Sequence, residues 1–186
     1  MTSWQPSFAS CDDYLNERTG KYEYRAIRYR KAADWLILNG LNDGHTICDI
    51  GAGWTEFDYC LRKEYDWKGR YIPIDGGISN VDLNTWVPER EVDFFVGLEI
   101  LEHLKNPMRL VRDMQSKSKG IVISVPDPAK LDIFALDDTH ITEVDTRMLT
   151  GEGFTVVSEQ LYGGVFNGGD NDALMGYWTN PGLNKL

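Results

Sequence analysis

Thr46-Ile-Cys-Asp-Ile-Gly-Ala-Gly53 reads as a short apolar strand that carries an acid near its end and turns sharply through two glycines into Trp54-Thr55-Glu56-Phe57. A glycine pair directly after a strand lets the backbone bend tightly and approach a ligand, because no Cβ atom stands in the way. A second apolar run, Tyr71-Ile-Pro-Ile, ends on Asp75. That is the spacing at which an acid of a βαβ unit holds a ribose diol.

Outward from this turn the pattern alternates. Strands are expected over 46–50, 70–74, 92–97 and 120–125, with helices over 55–65 and 99–116 and a loop of weak helical content after Asp75. Strands alternating with helices imply a parallel sheet covered on both faces. The runs Asp93-Phe-Phe-Val and Gly120-Ile-Val-Ile-Ser-Val are apolar throughout, as burial on both faces requires. A further helix is expected over 143–150, closed by Gly151-Glu-Gly153. A strand from Phe154 to Leu161 follows, with Ala173 to Trp178 as its antiparallel partner. The glycine-rich stretch from Gly163 to Asp172 between them reads as a mobile loop.

Upstream, residues 1–20 lack sustained periodicity and read as a loop or short lid, whereas 21–39 carry helical spacing. Ile27, Tyr29, Ala33, Leu36 and Ile37 are the candidates for its buried side, and Asn39-Gly40 is its stop. Arg25, Arg28, Arg30 and Lys31, interleaved with Tyr22, Tyr24 and Tyr29, read as the solvated face of that helix.

The 186 residues suffice for one domain, and 42% hydrophobic with 26% charged residues is the balance of a soluble globular protein. The net charge of -10 repels polyanions and argues against a nucleic acid partner. Cys11, Cys48 and Cys60 are odd in number and form no C-x-x-C pair, which disfavours zinc and structural disulfides and fits a reducing cytoplasm. Cys48, inside the first strand, reads as a small buried hydrophobe. The N-terminus shows no leader pattern and no run reaches membrane-spanning length, so a cytoplasmic protein with no membrane partner is expected.

In an open parallel sheet, ligands bind beyond the carboxyl ends of the strands where the strand order reverses, and the turn, Asp75, Gly97 to Glu102 and Pro126-Asp127 all fall there. Dinucleotide sites place a third glycine where this chain has Glu56. A carboxylate there would face a pyrophosphate at close range, whereas a sulfonium cofactor carries no phosphate. The pattern Asp49-x-Gly51-x-Gly53 resembles the first motif of class I S-adenosylmethionine (SAM)-dependent methyltransferases. Leu98-Glu-Ile-Leu-Glu-His-Leu104, followed by Lys105-Asn106-Pro107, closely resembles the Leu-Glu-His block of the broad group that contains the ubiquinone-type O-methyltransferases and many small-molecule enzymes. The resemblance runs through Gly120 to Pro126, His140-Ile-Thr and Gly153-Phe154, covering roughly residues 46–160, and departs at Thr55, where the group usually has a third glycine.

The resemblance implies an α/β fold: a doubly wound, mostly parallel, seven-stranded Rossmann-like sheet with an antiparallel last strand. Residues 1–45 would supply a lid or substrate contacts and 46–186 the SAM-binding core of a single domain. SAM would be held by Asp49, Gly51, Ala52 and Gly53 at the turn, by Asp75 and Gly76 after the second strand, by Asp82 and Leu83, and by Gly97 and Leu98. The implied activity is methyl transfer to an oxygen or nitrogen of a small-molecule acceptor by in-line displacement, with His103 or His140 as general base and Glu102 beside them. On a continuous helix Glu99, Glu102 and His103 share one face. With His140 they are candidate ligands of magnesium or manganese, although related proteins without a metal use the glutamates as helix-start charges. Trp4, Phe8, Tyr14, Phe134 and Phe166 are candidates to wall an apolar acceptor pocket, and the loop from Asp127 to Thr139 to contact the acceptor.

No Asn/Asp-Pro-Pro-aromatic string follows Gly97 and no cysteine flanks that strand, which argues against methylation of base amines or of cytosine C5. The alternative reading is a catalytically silent SAM-binding protein that sequesters the donor or docks a partner.

Overall fold

In the computed structural model, which describes residues 11–161 and 172–182, the chain opens with helix α1, Cys11–Leu38. The helix begins at Cys11 rather than at Lys21, so the loop expected over 1–20 is helical in its second half. Tyr22, Ala26, Tyr29, Ala33 and Leu36 recur at three- and four-residue intervals and are buried. Ile37, expected among them, is 43% exposed. Gly40 ends the helix as expected: at φ 88° its N–H donates to Ile37 O at 3.0 Å, and Leu41 N–H donates to Leu36 O at 2.9 Å, closing the terminal carbonyls.

The basic and aromatic stripe of α1 is only partly a solvated face: the Arg25 and Arg30 side chains are 41% and 42% exposed, whereas Tyr22, Arg28 and Tyr29 are buried. It packs on helix α2, Glu56–Glu64, whose acids it pairs. Tyr29 Oη donates to Glu56 at 2.5 Å, Arg25 to Glu56 at 3.2 Å, Tyr22 to Glu64 at 2.7 Å and Arg30 to Glu64 at 2.6 Å. Arg28 is 6% exposed. Alternating charge and aromaticity cannot by itself tell a wet face from one that meets an acidic helix.

The strands are β1 Thr46–Ile50, β2 Arg70–Ile74, β3 Val92–Leu98, β4 Ser118–Pro126, β5 Thr155–Glu159 and β6 Ala173–Thr179. They form one sheet in the order β2-β1-β3-β4-β6-β5, the first four parallel and β6 antiparallel to both β4 and β5. The last strand is antiparallel as expected, but the described sheet has six strands, not seven. After Asp75 comes the short helix α3, Gly76–Ser79, and residues 80–91 form turns, which matches the loop of weak helical content expected there and supplies no seventh strand. They hold no sustained apolar run, and Asp82 folds back on Asn84 N at 2.9 Å. The missing strand leaves β2 at the sheet edge, where Pro73, with no N–H to give, is tolerated. A cavity of about 210 Å³ remains beneath these turns, lined in part by Cys48, Ile72, Trp86 and Phe95.

Both sheet faces are buried. Ile47, Phe94, Val96 and Val122 point toward α1 and α2. Cys48, Ile50, Phe95 and Ile121 point toward α4, Pro107–Gln115, and α6, Thr146–Gly151. Cys48, 4% exposed, is the buried small hydrophobe expected.

The helix expected over 99–116 is broken. Glu99 adopts φ 57°, Leu101–His103 make one 3-10 turn, and α4 starts at Pro107, with Asn106 Oδ1 accepting from Arg109 N at 3.3 Å. Pro107 lacks the N–H a continuous helix needs and disfavours helical backbone at Asn106, so Asn-Pro here is a helix start. Glu99, Glu102 and His103 therefore do not share a helix face. Among the described residues no helix is long and apolar enough to cross a membrane. Trp4, Phe8, Phe166 and the loop from Gly163 to Asn171 lie outside the described residues, and of Tyr14 only its place on α1 is described.

Candidate active site

The sheet order reverses between β1, which feeds leftward to β2, and β3, which continues to β4. The crevice beyond the carboxyl ends of these strands collects the chemistry-bearing residues. Gly51 leaves β1 at φ 72° and its N–H donates to Ile74 O at 2.7 Å. A Cβ on Gly51 would lie 2.5 Å from Ile100 Cγ1, and one on Gly97 would lie 3.3 Å from Ile100 Cγ2. Both glycines thus make room for Ile100, a residue the motif reading passed over. Gly53 is different: a Cβ there would meet nothing within 4 Å, so the turn is open at this point. Its N–H donates to Asp75 Oδ2 at 3.1 Å, while Asp75 Oδ1 accepts from Gly77 N at 2.8 Å and caps α3. Turn and acid are therefore joined by a hydrogen bond.

Thr55, where the resembling group has its third glycine, sits at φ 61° and ψ 30° with no side-chain cap bond. A β-branched residue in the left-handed region is strained by roughly 1–2 kcal/mol. The backbone keeps the glycine-type turn and the threonine bears its cost. Thr55→Gly is expected to raise the melting temperature by roughly 2 °C, since relief of the strain exceeds the added entropy of the unfolded chain. An unchanged or lower midpoint would mean that the threonine side chain outweighs the strain.

Asp49 lies beneath the turn, not on its surface. It is buried, its carboxylate accepts from the Tyr71 hydroxyl, and burial pushes its pKa up to about 7 against that hydrogen bond. Glu56, read as facing the cofactor's phosphates, instead spends its carboxylate on Tyr29 and Arg25 of α1. The exclusion of a pyrophosphate on that ground does not stand. Asp82 Oδ1 accepts from both the backbone and side-chain nitrogens of Asn84, which hold its carboxyl below the usual range. Leu83 is buried and its carbonyl accepts from Arg109 at 2.9 Å.

Next to Ile100 the chain brings Glu102, His103 and His140 together. The 3-10 turn is tied to the His140 segment by Ile141 N and Thr142 N, which donate to Glu102 O at 2.9 and 3.0 Å. Glu102 is 1% exposed, and burial, reinforced by the neighbouring Glu99, holds its carboxyl well above the usual carboxylate range. His103 Nε2 and His140 Nε2 lie 4.0 and 3.9 Å from Glu102 Oε1, and the two rings meet edge to face at 4.7 Å. Glu99, the fourth expected member, is elsewhere: Ser124 Oγ donates to it at 2.7 Å and the buried Arg28 of α1 lies 3.6 Å away. Arg28 carried no sequence signal beyond its place in a basic cluster. Phe134, on the short helix α5, Ile133–Leu136, is half exposed.

No protein-family model matches this chain, and no curated protein does. Solved structures do. The complex between the Haloferax volcanii Trm112 methyltransferase activator and its methyltransferase aligns over 96% of this chain and all of that one, with TM-score 0.62 and 13% identity. The plantazolicin methyltransferase BpumL in complex with SAH aligns over 91% of this chain and 88% of that one, with TM-score 0.63 and 12% identity. The N-methyltransferase NodS from Bradyrhizobium japonicum, in complex with S-adenosyl-L-homocysteine (SAH), aligns over 85% and 88%, with TM-score 0.53 and 14% identity. At such identities the likeness speaks for the backbone. With the strand order, the reversal beside β1 and the glycine turn in hand, the chain has the class I SAM-dependent methyltransferase fold.

Proposed function

We propose that the protein binds SAM at the β1 turn and transfers its methyl group to an oxygen or nitrogen of a small molecule. The observation that carries this reading is the junction of Gly53 N–H and Asp75 Oδ2 at 3.1 Å, at the strand-order reversal. The donor set suits the cofactor. Each Asp75 oxygen accepts one backbone N–H and keeps a further lone pair, so the carboxylate can still receive both hydroxyls of a ribose diol. Gly51 to Gly53 would lie along the ribose and amino acid end, with Gly53 open to it. SAM supplies a methyl group on a positively charged sulfur.

The chain's own residues hold the donor and orient the acceptor. His103, 28% exposed, is the most exposed member of the Glu102 cluster, and as long as its Nε2 lone pair is uncommitted it would take the proton the nucleophile loses. His140, 7% exposed, positions the cluster from behind. The net charge of -10 favours a small acceptor over a polyanion, and the free thiols Cys48 and Cys60 suit a reducing cytoplasm. BpumL and NodS, both in complex with SAH, share this fold over 88% of their own chains, which supports the reading.

Calorimetry with SAM and SAH on a folded, cofactor-free sample is expected to show one site of micromolar affinity, followed by label transfer from methyl-labelled SAM to a phenol, alcohol or amine. Binding without transfer to any acceptor class would favour the silent donor-binding protein. No heat with either ligand would overturn the cofactor assignment.

A further inference from the structure

Glu102 is an ionisable carboxyl group buried without a hydrogen-bond partner. Its side chain is 1% exposed and neither carboxylate oxygen has a hydrogen-bond donor. Burying such a group unpaired is costly, so native proteins pair it or give it a metal. The atoms facing it, His103 Nε2 and His140 Nε2, cannot serve as donors in the neutral rings. His140 Nδ1 lies 2.6 Å from Ile133 O, and a carbonyl only accepts, so the ring proton sits on Nδ1 and Nε2 presents a lone pair. His103 Nδ1 lies 3.2 Å from Thr139 O and 2.9 Å from Thr139 Oγ1, whose own proton is given to Asp137 Oδ1 at 2.6 Å; its proton too belongs on Nδ1. Two imidazole lone pairs and a carboxyl group therefore converge, with ligand atoms all within 4.8 Å of one another and no ring proton between them.

We infer that Glu102, His103 and His140 form a binding site for a divalent cation of the borderline class, such as zinc, manganese or cobalt. The backbone carbonyls on the two Nδ1 atoms are the outer-shell partners that orient metal-binding histidines elsewhere. A shared ion would draw the 3.9 and 4.0 Å separations inward by less than 1 Å, to the spacing of two ligands each about 2.1 Å from a metal. A donor set of two imidazole nitrogens and one carboxylate disfavours magnesium, which prefers oxygen, so of the two ions expected above manganese fits better. The cysteine count, read above as disfavouring zinc, bears on thiolate ligands, and this donor set needs none. Glu99 is excluded as a ligand by its bonds to Ser124 and Arg28. Three protein ligands, one of them the partly exposed His103, leave a coordination position open, as in metal sites that act on a bound molecule.

The site stands on these atoms whether or not the protein transfers methyl groups. After chelator treatment and dialysis, the full-length protein should be titrated with zinc, manganese, cobalt and magnesium, each alone, and the cobalt form examined by visible absorption. One equivalent of zinc or cobalt is expected, with magnesium at least about tenfold weaker and ligand-field bands from nitrogen and oxygen donors. His140→Ala and His103→Ala should each weaken binding on the order of 100-fold. Because His103 is the more exposed, its variant tests the site even if His140→Ala fails to fold. Glu102→Gln should abolish binding while leaving the melting temperature of the metal-free protein about unchanged, since an amide of nearly the same shape replaces a buried carboxyl and only the ability to ionise is lost. Absence of binding by any of the four ions to the folded wild type, or binding untouched by both histidine variants, would overturn the site. SAH binding measured on the same samples reports on the donor site independently.

Discussion

Asp75→Ala is expected to weaken SAH binding on the order of 100-fold or more in calorimetry of the otherwise folded protein. Each hydrogen bond from a hydroxyl to a carboxylate contributes roughly 1.5–3 kcal/mol, and the diol would lose two of them. The substitution also removes the acceptor for Gly53 N–H and the cap of α3, so it loosens the turn as well as the ribose contact. Asp75→Asn separates the two effects. Asparagine caps nearly as well as aspartate, keeps one acceptor for Gly77 N–H, and should lose roughly tenfold through the missing charge alone. Equal affinity in wild type and Asp75→Ala would mean that Asp75 serves only as a loop cap, and would place any donor site elsewhere.

Gly51→Ala is expected to lower stability by about 3 kcal/mol and the melting temperature by roughly 10 °C, and to lower donor affinity with it. Two costs combine. At φ 72° an L side chain is held in the left-handed region, and its Cβ would stand 2.5 Å from Ile100 Cγ1 and 2.9 Å from Ile100 Cβ. The colliding atoms belong to the root of a β-branched side chain, which cannot swing aside without moving backbone. Combining Gly51→Ala with Ile100→Ala should recover the packing part and leave the backbone part, so the pair is less destabilised than the sum of the single variants. Simple additivity in thermal melts would refute the proposed contact.

β1 and β2 match the residues expected for them, because a short apolar run bounded by turn residues and glycines is a local signal. The seventh strand came from resemblance rather than from residues 80–91, whose own polarity and Pro88 had no strand in them. The helix over 99–116 followed apolar spacing and overlooked Asn106-Pro107, which local chemistry reads as a helix start. The candidate site was legible as a set of residue types: two glycines, an acid at ribose spacing, and Glu102, His103 and His140. Its arrangement was not. The turn at Glu99 sends that carboxylate to Ser124 and Arg28, and Glu102 inward to the histidines.

The sequence by itself determined the succession of strands and turns, the glycines at which the backbone turns left-handed, and the residues able to carry chemistry, because these depend on preferences within a few neighbouring residues. Only the tertiary structure decided that the tyrosines and arginines of α1 meet acids, that Ile100 fills the space above Gly51, and that a buried glutamate faces two imidazole lone pairs. Those contacts join residues far apart in the chain. They exist only once the sheet order has set which elements lie side by side.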